Sequence, residues 1–260
     1  MDYSIIKFIY RHCYILLILL IIGSVYPNES VAQENSSYEF LPAPDLWYNS
    51  IDGVRVGVRI RGQVPGTFGD GPHRLNAGLW LGTNIPDYPV SYYLRFTEPI
   101  PSISDFGNEG NISLESLYRT GFQQHGITFN KRWQTGFNEL NYKELSIGFR
   151  AEDRFDSEYL FYQQLWQNQW LYIAHAAVDI TNVNGFGRYA FSISADANLG
   201  GNTDPFFRSA MTLRQKITLG DRFSLSGRLY SGIASNNTAP EYLFTRSFRS
   251  ARNWMDSGLT

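Results

Sequence analysis

Four histidines and one cysteine are the side chains best suited to metal binding or nucleophilic catalysis, and His12, Cys13, His73, His125 and His175 are spread across the whole sequence. Metal sites gather their ligands at short helical or turn spacings, and nucleophilic sites set a base within hydrogen-bond reach of a Ser or Cys. Neither HExxH nor GxSxG occurs. His175 and Asp179 fall on one face of a strand, but four residues of extended chain separate them by about 13 Å. The acidic run EDRFDSEY, residues 152–159, offers oxygen ligands for a cation and equally reads as a solvated loop. NGFGRYA holds Gly-x-Gly without a βαβ setting and reads as a turn. The expectation is a non-enzymatic protein with no catalytic residue, no metal and no cofactor.

The elements that would carry these residues are strands. In IDGVRVGVRIRG, residues 51–62, Val54, Val56, Val58 and Ile60 alternate with Arg55, Gly57, Arg59 and Arg61. A period of two puts successive side chains on opposite faces of a sheet. The pattern recurs in RLNAGLWLG, with Leu79 and Leu81 on the apolar face, and in VSYYLRFT, ELSIGFRA, WLYIAHAAVDIT, RYAFSISADA, FFRSAMTLRQKITL and RFSLSGRLYSGIA. Leu171 and Ile173 blur the polar face of the sixth strand. A less regular fourth segment, from about 112 to 133, reads as one strand or two. The count is therefore nine, or ten if that segment divides.

Two environments suit such strands. A soluble sandwich buries the apolar face and wets the other; a transmembrane barrel turns the apolar face to lipid and the polar one to a lumen. The N-terminus favours export. Lys7 and Arg11 precede an apolar run from Tyr14 to Ile22, and Ser30-Val31-Ala32 is a small-x-small cleavage site. Residues 1–32 read as a signal peptide and 33–50 as a periplasmic N-terminal segment. Cys13 lies within the signal, so an exported domain would hold no disulfide. A net charge of −2 and 16% aromatics, with 17 Tyr and 18 Phe, argue against a nucleic-acid partner and for a strand-rich fold.

Loop lengths point the same way on this strand count. The connections 63–73, 98–111, 152–168 and 199–205 are mostly long, whereas 83–89, 134–141, 182–187 and 220–221 are mostly shorter, as if long loops gathered at one end. The first strand would then run outward from the periplasm. Strands of roughly 9 to 12 residues match the ~9 to 11 that a tilted strand needs to cross hydrocarbon. Trp133, Trp166, Trp170, Tyr88, Phe206 and Phe223 near strand ends suit interfacial girdles. Val54, Val56, Val58, Ile60, Leu79 and Leu81 would face lipid. Arg55, Arg59, Arg61, Arg95, Arg150, Arg188, Arg208, Arg214 and Arg228 would face the lumen, in a network with Asp179, Asp196, Tyr93 and Tyr230. Nine guanidinium groups in a dry core would each need a partner and several kcal/mol of compensation.

DLWYNSIDGVRVGVRIRG, residues 45–62, resembles the opening of Gram-negative outer-membrane barrels of the surface-antigen or assembly-factor type, through Tyr48, Asn49, Asp52, Gly53 and Gly57. It is especially similar to those of Bacteroidota-like bacteria, including barrels fused to gluzincin-type metallopeptidases. NTAPEYLF, residues 237–244, is similar to an extracellular proline-containing segment of such barrels. The resemblance implies an antiparallel up-and-down transmembrane β-barrel in the bacterial outer membrane. Its partners would be outer-membrane lipids and the outer-membrane insertion machinery. It departs from the family in lacking further strands and a terminal aromatic residue, so an incomplete barrel is expected: strands in 51–234, then an extracellular loop or truncated continuation in 235–260. The function expected is a non-catalytic membrane anchor or channel-like barrel. The alternatives are a secreted β-sandwich binding carbohydrate through Tyr162, Trp166 and Trp170, and the barrel anchor of a surface metallopeptidase whose catalytic domain lies outside this chain.

Overall fold

The computed structural model describes residues 38–243, save 50–51, 68–70, 85–86, 106, 137, 139, 157, 159–162, 164–167, 202 and 221. The signal-peptide reading, Tyr162 and Trp166 lie outside the described residues. Within them the chain forms one antiparallel meander of eleven strands, each hydrogen-bonded to the next in sequence. These are β1 Glu39–Asn49, β2 Gly53–Gln63, β3 Arg74–Gly82, β4 Val90–Pro99, β5 Gly110–Arg119, β6 Phe122–Gln134, β7 Tyr142–Arg154, β8 Leu171–Asn184, β9 Gly187–Gly201, β10 Phe206–Leu219 and β11 Phe223–Ala234. Among the described residues β1 and β11 are free edges, and the sheet is not closed.

Two strands beyond the expected nine account for the difference. β1 lies within the segment 33–50, ahead of the first strand that alternation marks. It escapes the period-two template because Pro42 and Pro44 interrupt it, and proline is tolerated there because β1 is an edge strand. The fourth segment divides into β5 and β6 at a two-residue turn. Thr120 and Gly121 both have positive φ, 48° and 75°, as a tight hairpin turn requires. Arg119 then pairs with Phe122 across it.

That turn also overturns the expected segregation of long loops. An added hairpin reverses the direction of every later strand relative to the count of nine. The connections 64–73 and 100–109 consequently lie at one end of the sheet, with the turns 185–186 and 220–222. The long connection 155–170 lies at the other end, beside Asp52, with 83–89, 120–121 and 202–205. Long and short connections are mixed at both ends, so loop length does not assign an outside.

The faces follow the sequence pattern throughout. Residues paired across an antiparallel ladder share a face. Val56 pairs with Leu81, Leu81 with Val90, Leu79 with Tyr92 and Phe96 with Leu114. Phe129 pairs with Ile147, Leu145 with Val178, Val178 with Ile193, Ile193 with Met211 and Leu213 with Leu229. One face is thus apolar from β1 to β11, and the nine arginines lie on the other.

Candidate functional site: the polar face of the sheet

Solvent exposure of the two faces is the reverse of that in a water-soluble sheet. On the apolar face Val56 and Leu81 are 54% and 57% exposed, while Arg55 and Trp80 on the polar face are each only 2% exposed. The sheet bends toward its polar side. β1 and β5 would lie about 19 Å apart in a flat sheet, yet the Arg119 guanidinium of β5 sits 5.5 Å from the Trp47 ring of β1.

Near the Asp52 end, β1 to β5 build a charged cluster. Asp52, in the turn before β2, accepts hydrogen bonds from Arg119 Nη2 and Thr120 Oγ1, each at 2.8 Å, and its carboxylate lies 3.9 Å from Arg55 Nε. Arg55 lies over the Trp80 ring at 4.7 Å and donates to Ser91 Oγ at 3.0 Å. Asp45 accepts from Arg59 at 3.0 Å and from the Trp80 indole at 2.5 Å. The Trp80 ring needs bare backbone beneath it: a Cβ on Gly57 would meet Trp80 Cδ1 at 2.3 Å, and one on Gly78 would meet its Cζ2 at 2.6 Å. Asp52 and Gly57 therefore hold this cluster together. Trp80, Tyr93, Leu117 and Phe122 form the small apolar core beside it.

A second cluster occupies the polar face of β7 to β10 at the same end. Asp196 accepts from Arg150 at 3.1 Å, Arg208 at 2.9 Å and His175 Nδ1 at 2.8 Å. Arg150 also donates to Glu152 at 3.3 Å. His175 thus takes its carboxylate from the neighbouring strand rather than from Asp179, which pairs with Ser192. Glu152 and Asp153, read as the start of an acidic loop, are buried at the end of β7; Asp153 accepts from Gln123 at 2.9 Å. Among the described residues no group of three or more His, Cys, Asp or Glu side chains could hold a metal ion.

Between the clusters lies a polar hollow of about 340 Å³, floored by Gly126 and Gly148 and walled by Arg95, Glu115, Gln124, Asn130, Arg150 and His175. Arg95 and Glu115 face each other at 3.4 Å. Gln124 donates to Glu115 at 2.8 Å, and its buried Oε1 has no partner among the described residues. The hollow suits water or a small polar solute.

The remaining arginines keep their face but not one network. Arg61, Arg188, Arg214 and Arg228 are exposed, the last stacked 5.6 Å from Tyr230. On the apolar side, a row of rings lies at the Asp52 end: Tyr92 with Tyr118, Tyr118 with Phe155, Phe155 with Tyr88, and Trp170 with Tyr172. Phe40, Trp133 and Phe223 are exposed at the opposite end. Phe206, expected in such a row, is instead buried on the polar face. On the apolar face Ser116 and His125 Nδ1 satisfy each other at 2.9 Å, with the Tyr92 hydroxyl 3.1 Å from Ser116. Neighbouring strands bring this pair together, so spacing along one strand could not disclose it. No protein-family model matches the chain, and no curated protein or solved structure matches it either.

Proposed function

We propose that this chain is an outer-membrane β-barrel protein, acting as a non-catalytic membrane anchor or channel-like barrel. The observation that carries the reading is the inversion of the sheet: Val54, Val56, Leu79 and Leu81 are exposed while Arg55, Arg150, Glu152 and Asp196 are enclosed on the opposite face. A continuous apolar surface spanning eleven strands far exceeds the few hundred Å² that soluble monomers leave uncovered. Hydrocarbon is the solvent that makes it favourable, and a wet lumen is the setting that hydrates the exposed arginines. In β1 the exposed Phe40 and Tyr48 stand eight residues apart. At about 3.4 Å per residue and a tilt of about 40° that is roughly 21 Å of depth, close to the ~25 Å apolar band of such barrels.

Parity sets the condition for closure. With eleven strands, β1 and β11 run in the same direction, so antiparallel closure joins them through an odd number of further strands. Outer-membrane lipids and the insertion machinery are the partners this reading calls for. The test is refolding from urea into phospholipid vesicles. Flotation with the lipid and heat-modifiable migration in gels support the barrel; a folded chain that stays in the aqueous fraction refutes it.

A further inference from the structure

β11 delivers the chain to the Asp52 end, where residues 235–243 turn back over the polar face. Ser235 N donates to Phe207 O at 2.9 Å, and Phe207 N returns a bond to Ser235 Oγ at 3.1 Å. A 3-10 turn, Pro240–Tyr242, then drops Tyr242 into the second charged cluster. Its hydroxyl donates to Glu152 and accepts from Arg150 Nη2 at 3.3 Å. Ala239 and Tyr242 pack with Leu171, Ile173 and Phe206, three apolar side chains on the arginine-bearing face. Arg150 belongs to this contact and to the wall of the hollow at once.

We propose that residues 238–242 are a stopper built into the chain, docked on the second charged cluster at the Asp52 end beside the polar hollow, with Arg150 shared between the two, and that it lets go when Glu241 ionises. The docking stands on the contacts above; its consequence, control of passage through a lumen, rests on the barrel reading. Glu241 Oε2 is enclosed and has no hydrogen-bond partner among the described residues. Arg150, Glu152 and Arg154 of β7 act on the docked turn, and Asp196 of β9, His175 of β8 and Arg208 of β10 complete the cluster around Arg150. Arg150, His175 and Arg208 all converge on Asp196, so around Glu241 the attraction of Arg154 works against the repulsion of Glu152. Burial pushes the Glu241 carboxyl up from 4.5 to about 7, with Arg154 pulling it down and Glu152 adding to the rise. A raised carboxyl means that the docked state holds the neutral form. Docking is therefore strongest below pH 4.5 and weakens as pH rises through about 7. Linkage between those two values weakens docking about 70-fold from pH 5 to pH 8.

Hydrogen exchange on the detergent-solubilised full chain, corrected for intrinsic rates, reads this directly. The amides of Thr238, Tyr242 and Leu243, which donate within this segment, should be protected at pH 5 and lose that protection at pH 8. Glu241→Gln should keep it at both. Equal wild-type protection at the two pH values, or an unchanged pH response in Glu241→Gln, overturns the switch. In planar bilayers, conductance should rise from pH 5 to pH 8 in the wild type and stay low in Glu241→Gln; release without a rise in conductance overturns the stopper role. A chain that fails to float with vesicles yet shows pH-dependent protection refutes the barrel reading and the stopper role, and leaves the docking switch.

Discussion

Val58→Arg places a charge where the proposed lipid contact is deepest. Val58 is the central residue of the eleven-residue β2, on the apolar face and exposed. Arginine on the lipid side of a barrel costs about 2 to 4 kcal/mol near the midplane and about 0 to 1 kcal/mol near the interface. Val54, four residues away at about 3.4 Å each and a tilt of about 40°, stands roughly 10 Å closer to the interface. Val58→Arg should therefore lower the folding free energy in vesicles by about 2 to 4 kcal/mol, and Val54→Arg by at most about 1 kcal/mol. Arg59→Gln, on the other face, should be milder than Val58→Arg, because Arg59 is only part-buried and pairs with Asp45 at 3.0 Å. Urea titration in phospholipid vesicles, followed by tryptophan fluorescence, measures all three. In water an exposed valine replaced by arginine is close to neutral at any position along the strand. Equal tolerance at Val54 and Val58, or a gain in aqueous solubility without loss of stability, would refute the lipid-facing assignment.

Cysteines placed at Thr67 and Glu158, in a Cys13→Ser background, should react with a membrane-impermeant maleimide from opposite sides of a sealed vesicle, since their loops leave opposite ends of the sheet. Labelling of both from one side would contradict the strand count. Gly57→Ala puts a methyl group 2.3 Å from the Trp80 ring and from Leu79 O, and should cost about 1 to 3 kcal/mol by the same titration. Asp52→Ala removes the carboxylate between the buried Arg55 and Arg119 and should cost about 3 to 5 kcal/mol; Asp52→Asn, which keeps the shape, should recover the hydrogen bond from Thr120 but not the charge.

The sequence disclosed both faces of the sheet because a period of two is a local property, and each strand displays it unaided. Ile60 and Arg61, for example, fall where alternation puts them. Contacts between strands are not local. The partner of His175 proved to be Asp196 and that of His125 proved to be Ser116, choices set by register. Register depends on the turns, and the turn at Thr120–Gly121 was obscured because its flanks, Tyr118 and Phe122, belong to different faces and break the alternation. Leu171 and Ile173 were a legible anomaly of a different kind: two apolar side chains on a polar face mark a place where something apolar lies on top. The covering residues, Ala239 and Tyr242, stand some seventy positions further along, where no periodic pattern leads to them.

Parity has a further consequence for self-assembly. Because β1 and β11 point the same way, a ring of identical copies around an axis along the strands would join β11 of each copy to β1 of the next as a parallel seam. A two-fold axis normal to the sheet would pair like edges in antiparallel fashion, but it would turn the second copy upside down in the membrane. Copies inserted in one orientation would therefore not share an all-antiparallel barrel through these two edges.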